Sequence, residues 1–238
     1  MARKLTCIRY IFSNLIGKTQ MKHYSWQYDE FKQVGKDYGD KKEVEVYEES
    51  HSGFRDIAAE SRQVLDVLNI KAGDVLIDFG SGTGIFAIQA AKRGAKVHAV
   101  DVSQAMIDYA KAKVEKEAAE NIEFHHAGFL TYEHKDAPAD AATTTLAFHH
   151  LPDLWKGIAL KRINEMLKPG GQLYIRDVIL EESQTLEKIT GIIEKHAEAG
   201  GDFMRKDAED HFREEFSTYD WVLEGLLSRA GFTVKSKE

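Results

Sequence analysis

The stretch Val75-Leu-Ile-Asp78-Phe-Gly80-Ser-Gly82-Thr-Gly84-Ile-Phe86 decides the fold class of this chain. A short apolar run of strand type leads into three glycines at alternate positions, and an apolar run with helical composition follows. Glycine accepts positive φ angles and lets a ligand approach the backbone, and a helix N-terminus beyond the loop presents unpaired N–H groups. The stretch therefore predicts a strand, a ligand-binding loop and a helix in succession.

The spacing of these glycines shows which of the common nucleotide-binding motifs the stretch can match. A dinucleotide site with Gly-x-Gly-x-x-Gly spacing needs glycine at position 85, which is Ile85. A phosphate-binding P-loop ends in Gly-Lys-Ser/Thr, which is absent here. A tight turn without a ligand is the remaining alternative, and the backbone entropy of three glycines in five residues argues against it.

Downstream, apolar runs of strand length alternate with amphipathic helical patterns. This alternation predicts a doubly wound, mostly parallel α/β sheet with helices on both faces. The predicted strands cover 75–79, 96–100, 122–125, 141–147, 173–178 and 232–236.

From about Val75 to Val178 the chain resembles the class I S-adenosylmethionine-dependent methyltransferases. The resemblance rests on four landmarks in the family's order, each modest when taken alone. They are the glycine stretch, Asp101 at the end of the second strand, the run Phe124-His-His-Ala-Gly128-Phe129-Leu130, and the turn Met166-Leu-Lys-Pro-Gly170-Gly171.

The resemblance implies S-adenosylmethionine as cofactor and S-adenosylhomocysteine as product. It assigns the glycine stretch to the methionine and ribose parts, and Asp101 to the two ribose hydroxyls. At Gly128 the chain departs from the family, which usually has an Asp there for the adenine amino group; backbone and apolar contacts have to hold the adenine instead. The predicted cofactor-binding residues are Asp78, Gly80, Ser81, Gly82, Gly84, Asp101, Val102, Met106, Gly128, Phe129 and Leu146.

The end of the fourth strand reads Thr145-Leu-Ala-Phe-His149-His150-Leu-Pro152, which is similar to a run in small-molecule members of the class. Adjacent residues of an extended segment point to opposite sides, so we expect one histidine to face the pocket. We predict His150 as general base or substrate anchor and Asp177 as a second catalytic candidate. A solvated histidine pair and a rim position for Asp177 remain open alternatives. An Asn/Asp-Pro-Pro-aromatic tetrad is absent, which disfavours planar amide and adenine-amino acceptors.

The N-terminal region divides into two predicted parts ahead of the methyltransferase domain at 69–238. Residues 1–20 form a basic tail that we expect to be disordered. Residues 21–68 are rich in aromatic side chains, and the resemblance predicts helices that close over the cofactor as a lid. Plain packing of these helices on the sheet remains an alternative. The predicted lid residues facing the substrate are Tyr24, Tyr28, Tyr47 and His51.

Charge and composition exclude several classes of function. The net charge is −7, and residues 1–20 hold four basic and no acidic residues, so the remainder carries −11. This negative charge disfavours general nucleic-acid binding.

The single cysteine, Cys7, excludes an internal disulfide and indicates a reducing, cytoplasmic location. No apolar run is long enough to span a bilayer. We predict no metal site, because no His-x-x-x-His motif supports a histidine-only zinc site, which stays an open alternative. We predict a small-molecule methyl acceptor. Alternatives are an RNA or protein methyltransferase and a cofactor-binding module without transfer activity.

The carboxyl end predicts an incomplete sheet. The family pattern continues past the sixth strand into a seventh, antiparallel strand inserted between the fifth and sixth. The sequence ends at Glu238, too soon to supply it. We therefore expect this slot to be empty and the sixth strand to be weakly held.

Overall fold

The structure is a computed structural model that describes residues 7–13, 24–32, 34–35, 38–39, 44, 56–183 and 185–237. Its strands are β1 (Cys7–Ser13), β2 (Val75–Phe79), β3 (Lys96–Asp101), β4 (Ile122–His126), β5 (Ala139–Thr145), β6 (Leu167–Leu180), β7 (Thr218–Tyr219) and β8 (Thr233–Lys237). Its helices are α1 (Ile57–Val67), α2 (Ile85–Lys92), α3 (Gln104–Lys116), α4 (Asp153–Met166), α5 (Thr185–Glu214) and α6 (Asp220–Arg229), and a 3-10 turn spans Phe148–His150.

The main sheet has the order β4-β3-β2-β5-β6-β1-β8. Strands β2 to β6 pair in parallel, β1 lies antiparallel to both β6 and β8, and β8 thus shares the direction of β6. The predicted doubly wound, mostly parallel fold is confirmed.

Two apolar layers cover the faces of this sheet. Alternate residues of β2 point to opposite sides, so Leu76 packs with α1 and α2 whereas Ile77 packs with α4 and α6. Both side chains are fully buried. The carboxyl ends of β2, β3 and β5 meet at one edge, where a doubly wound sheet binds its ligands.

Strand β1 overturns two expectations about the ends of the chain. Residues 7–13 pair with both β6 and β8, so this part of the expected disordered tail is a strand, and the slot expected to be empty is filled. The segment is rich in β-branched and aromatic residues, which favour strands. Its partner strands, β6 and β8, lie far away in the sequence, so the local pattern could not reveal the pairing. Residues 1–6 and 14–20 lie outside the described residues.

The region ahead of β2 combines turns with one described helix. Residues 24–32 form turns and bends, and α1 begins after Asp56, whose carboxylate accepts a hydrogen bond from the Ala59 N–H at 2.8 Å. None of the helices in the described ranges combines the length and the apolar character needed to cross a bilayer.

Candidate active site

The glycine loop lies between β2 and α2 and is anchored on β3. The N–H groups of Gly80 and Ser81 donate to Val100 O at 2.9 and 3.1 Å. Gly80 has φ +67°, and a Cβ at this position would lie 2.3 Å from Ala147 Cβ. Gly82 also has a positive φ, with open space where a side chain would project. The loop therefore brings bare backbone to the edge of the sheet.

Gly84 has a different role in the same loop. It is the N-cap of α2 in the left-handed conformation, and a Cβ there would lie 2.9 Å from Ala110 Cβ on α3. Its requirement for glycine comes from helix packing, and it lines neither of the two cavities described below.

Asp101 ends β3 and faces the glycine loop. Its Oδ2 accepts a hydrogen bond from the Gly82 N–H and its Oδ1 from the Ser103 N–H, both at 2.8 Å. Ser103 Oγ in turn accepts from the Met106 N–H at 3.1 Å, so Ser103 caps α3 and Asp101 is not needed for that role. A carboxylate oxygen has room for about two donors, so each Asp101 oxygen retains capacity toward the cavity it lines.

Asp78 is buried beneath the loop. Thr143 Oγ1 donates to Asp78 Oδ1 at 2.7 Å. Burial raises the pKa of Asp78 to about 7, the Thr143 bond opposes this rise, and the nearby Asp101 carboxylate adds to it. The carboxyl group therefore exchanges a proton near neutral pH.

Replacing Asp78 with asparagine is expected to flatten the dependence of stability on pH. The pKa of about 7 in the folded chain lies above the ordinary value of 3.8, so the folded state binds the extra proton. The stabilisation from Asp78 is therefore fully present below pH 3.8 and is lost as pH rises through 7. The loss amounts to up to about 4 kcal/mol.

Urea unfolding of wild type and Asp78→Asn at pH 4, 5.5 and 7 measures this difference. Asp108→Asn, an exposed change on α3, serves as control and should follow the wild type. Parallel pH profiles for wild type and Asp78→Asn would contradict the prediction.

A main cavity lies against Asp101 and the glycine loop. Its apolar wall includes Val102, Met106 and Phe129, and Gly128 lies beside them without a side chain. Of the predicted cofactor-binding set, the residues lining it are Gly80, Gly82, Asp101, Val102, Met106, Gly128, Phe129 and Leu146.

Glu30 fills the space that Gly128 leaves. A Cβ on Gly128 would lie 2.4 Å from the Glu30 carboxylate. That carboxylate accepts hydrogen bonds from the Leu130 N–H at 3.0 Å and from Thr131 Oγ1 at 2.7 Å, and burial raises its pKa. The sequence analysis did not single out Glu30, since a hundred residues separate it from Leu130.

A second cavity adjoins the first across the glycine loop. Asp78 and Ser81 line it together with Arg176 of β6, whose guanidinium contacts the Glu60 carboxylate at 2.5 Å. The buried Ser81 Oγ has no hydrogen-bond partner among the described residues, as expected of a hydroxyl that binds a ligand. Arg176 and Glu60 were also missed, because nothing in a strand pattern identifies a ligand-facing arginine.

Leu146 lines both cavities and carries local strain. Its φ is +53°, a left-handed conformation that is rare outside glycine. Its N–H donates to Arg176 O at 2.8 Å, which holds the turn between β5 and the histidine pair. Strain of this kind concentrates at functional sites.

The histidine pair that follows divides between two environments. His150 lines the main cavity, and burial lowers its pKa to about 4, helped by the neighbouring His149 charge. His149 turns away, and its Nδ1 lies 2.5 Å from Asp177 Oδ1. Asp177 is 1% exposed, also accepts from the His149 N–H, and is not among the residues lining either cavity.

His149 is held as a cation between two carboxylates. Burial alone would lower its pKa, but Asp177 on one side and Glu215 on the other hold it above the ordinary value. Burial would likewise raise the pKa of Asp177, and the His149 charge holds it below its usual range. The structure thus places Asp177 behind the pocket, as the partner of His149.

The predicted lid residues fall in three places. Tyr28 packs against Trp155 and Phe216, and its hydroxyl donates to His150 O at 3.4 Å. Tyr24 is half exposed and stacks on Trp26, away from both cavities. Tyr47 and His51 lie outside the described residues. The residues of this region that line the main cavity are Glu30, Lys32, Val34 and Tyr38.

Residues 76–171 match the family model of a methyltransferase domain. An uncharacterized methyltransferase of Geobacillus sp. (strain WCH70) is 30% identical over 191 residues, which cover 80% of this chain and 83% of the relative. Another uncharacterized methyltransferase, from Geobacillus kaustophilus (strain HTA426), is 31% identical over 205 residues, covering 86% of this chain and 88% of the relative.

Solved structures share the fold. Phosphoethanolamine N-methyltransferase 2 of Haemonchus contortus, in complex with phosphomonomethylethanolamine and S-adenosylhomocysteine, aligns with a TM-score of 0.62 and 22% identity over 80% of this chain and 42% of its own. A SAM-dependent methyltransferase from Aquifex aeolicus gives 0.50 and 24% over 68% of this chain and 88% of its own. At these identities the likeness shows the fold alone.

Proposed function

Because the chain belongs to the class I S-adenosylmethionine-dependent methyltransferases, we propose that it transfers the methyl group to a small-molecule acceptor. The observation that carries the proposal is the position of His150, Lys32 and Tyr38 on the same cavity as Asp101 and the glycine loop. An acceptor has to enter a space that Glu30, Lys32, Val34 and Tyr38 already border, which suits a metabolite better than a folded macromolecule.

The residues fit the cofactor at both cavities. Asp101 would accept hydrogen bonds from the ribose hydroxyls, and Val102, Met106 and Phe129 would line the adenine site. The Glu30 carboxylate would supply the acidic group that Gly128 lacks, beside the expected position of the adenine amino group. On the other side of the loop, the unpaired Ser81 hydroxyl and Arg176 suit the amino-acid end.

S-adenosylmethionine supplies an electrophilic sulfonium methyl when it is bound. The chain has to orient the acceptor and to remove its proton where it carries one. We assign the second task to His150, which lines the same cavity. Its pKa of about 4 leaves the imidazole neutral at pH 7 but makes it a weak base, so its contribution lies at the low end of general-base catalysis. Asp177 acts through His149 and contacts no substrate.

Incubation with S-adenosylmethionine and a panel of acceptors tests the proposal by release of S-adenosylhomocysteine. The panel holds small amines, phenols, thiols and carboxylates, and a phosphorylated amine because the Haemonchus protein was solved with one. Turnover of metabolites supports the proposal. Turnover of tRNA or a protein fraction alone would overturn it, as would cofactor binding without turnover of any acceptor.

Replacing His150 with glutamine is expected to lower kcat about 100-fold for a protonated acceptor, the low end of the usual contribution of a general base, because a pKa of about 4 makes the imidazole a weak base. Binding of S-adenosylhomocysteine should change little. With a pKa of about 4, His150 gives the wild type a flat pH–rate profile above pH 6, and the rate falls as pH drops through 4.

His196→Gln on α5 is the matched control, since His196 bonds Ile192 O and lines neither cavity. It should keep the wild-type rate. Unchanged kcat in the His150→Gln variant would remove the assigned role as base.

A further inference from the structure

Three side chains with metal-ligating atoms meet on one face of β3 and β4, away from the glycine loop. His98 is in register with Glu123, and His125 lies two residues further along β4, so all three project from the same face. His98 Nδ1 lies 3.1 Å from His125 Nε2 and 3.8 Å from Glu123 Oε2. His125 Nε2 lies 3.6 Å from Glu123 Oε1.

These separations suit a zinc ion. Zinc binds imidazole nitrogen and carboxylate oxygen at about 2.0–2.2 Å, so neighbouring ligand atoms of a tetrahedral site lie roughly 3.3–3.6 Å apart. The three observed distances between ligand atoms differ from this range by a few tenths of an ångström at most. Small side-chain rotations therefore suffice to bring His98 Nδ1, His125 Nε2 and one Glu123 oxygen onto one ion.

The state of the two histidines also suits a metal. Burial lowers the pKa of His98 to about 4 and lowers that of His125, so both imidazoles are neutral at pH 7 and have a lone pair to donate. His98 Nε2, on the far side of the ring, lies 3.3 Å from Asp136 Oδ2 and makes no hydrogen bond among the described residues, so a small rotation has to complete this contact. A carboxylate behind a metal-binding histidine orients the ring and raises its basicity.

The site opens to solvent on one side. His98 is 2% exposed, whereas Glu123 is exposed and His125 is half-buried. This leaves an entry path and room for a water molecule as fourth ligand. His134, which also packs on His98, is not a ligand, because Tyr132 Oη and Ala137 O engage its two ring nitrogens at 3.1 and 2.7 Å.

A second cluster behind the active site is less suited to a metal. There, His211 Nδ1 and the Glu215 carboxylate are in direct contact, which leaves no space for an ion between them. His149, the third member, is held as a cation by Asp177 and Glu215. A protonated imidazole has no lone pair for a metal.

We propose that His98, Glu123 and His125 form a zinc site that cross-links β3 and β4. The two strands lead directly to Asp101 and to the Gly128 loop, so the ion stiffens the framework of the cofactor pocket. The proposal is independent of the methyl acceptor and goes beyond the transfer reaction.

Zinc titration of the metal-free full chain tests this proposal, with the Kd measured by competition against a chromophoric chelator. We expect one zinc ion per chain and, at a concentration 100 times the Kd, a rise in Tm of roughly 5–10 °C. Glu123→Gln and His125→Gln should each weaken binding at least ~100-fold, and Asp136→Asn about tenfold.

His126→Gln is the matched control, because His126 is an exposed neighbour on the opposite face of β4 whose Nε2 contacts Val102 O. It should bind zinc like the wild type. Failure of the wild type to bind one equivalent, equal losses in the His126 and His125 variants, or full thermal stabilisation of His125→Gln would each overturn the proposal.

Discussion

Replacing Asp101 with alanine is expected to weaken binding of S-adenosylhomocysteine at least ~100-fold. The carboxylate is buried, and its oxygens already accept hydrogen bonds from the Gly82 N–H in the glycine loop and from the Ser103 N–H that follows β3. Loss of two hydrogen bonds from ribose hydroxyls to a charged group costs about 3–6 kcal/mol. The unpaired Gly82 and Ser103 N–H groups add to the loss by loosening the loop.

Calorimetric titration of the ligand into wild type, Asp101→Ala and Asp101→Asn measures the effect. Asparagine keeps one acceptor oxygen, so its Kd should lie between the other two. Asp108→Ala, on the exposed face of α3, controls for the removal of a nearby negative charge and should bind as the wild type does. A Kd for Asp101→Ala within tenfold of wild type would refute the assignment to the ribose.

Replacing Gly80 with alanine is expected to destabilise the chain by about 2–5 kcal/mol and to remove cofactor binding. Two effects combine: alanine at φ +67° is strained, and its Cβ would lie 2.3 Å from Ala147 Cβ. Relief of this clash has to move either the glycine loop or the turn after β5, and both border the cofactor cavity.

Gly170→Ala separates the two effects, because Gly170 has φ +79° with open space beyond it. It should lose only the conformational part, about 1–2 kcal/mol, and keep cofactor affinity. The double variant Gly80→Ala, Ala147→Gly removes the clashing methyl and should recover much of the stability. Equal losses in Gly80→Ala and Gly170→Ala, or no recovery in the double variant, would show that the contact is unimportant.

Local patterns predicted the parallel framework and the ends of β2 and β3. The positions of Gly80, Gly82 and Asp101 follow from such patterns, because strand, loop and helix succeed one another within a few residues.

Contacts across long stretches of sequence were not predictable in this way. Glu30 contacts Leu130, and Arg176 contacts Glu60, across long stretches of sequence. No periodic pattern in the sequence indicates either contact. The one signal for Glu30 was indirect: Gly128 lacks the acidic side chain that the resemblance implied there, so some other group had to fill the space. Which of His149 and His150 faces the cavity likewise depends on Asp177, which lies in another strand and binds His149.

The position of β1 has a consequence for how the chain folds. Cys7 pairs with Val178, and Ser13 pairs with Thr233, so β1 bonds to β6 and β8, which both lie in the last third of the sequence. Contacts of such high sequence separation require closure of very long loops and slow the folding reaction. We therefore expect the cofactor half of the sheet, built from neighbours in sequence, to assemble first, and β1 to enter between β6 and β8 in a late step.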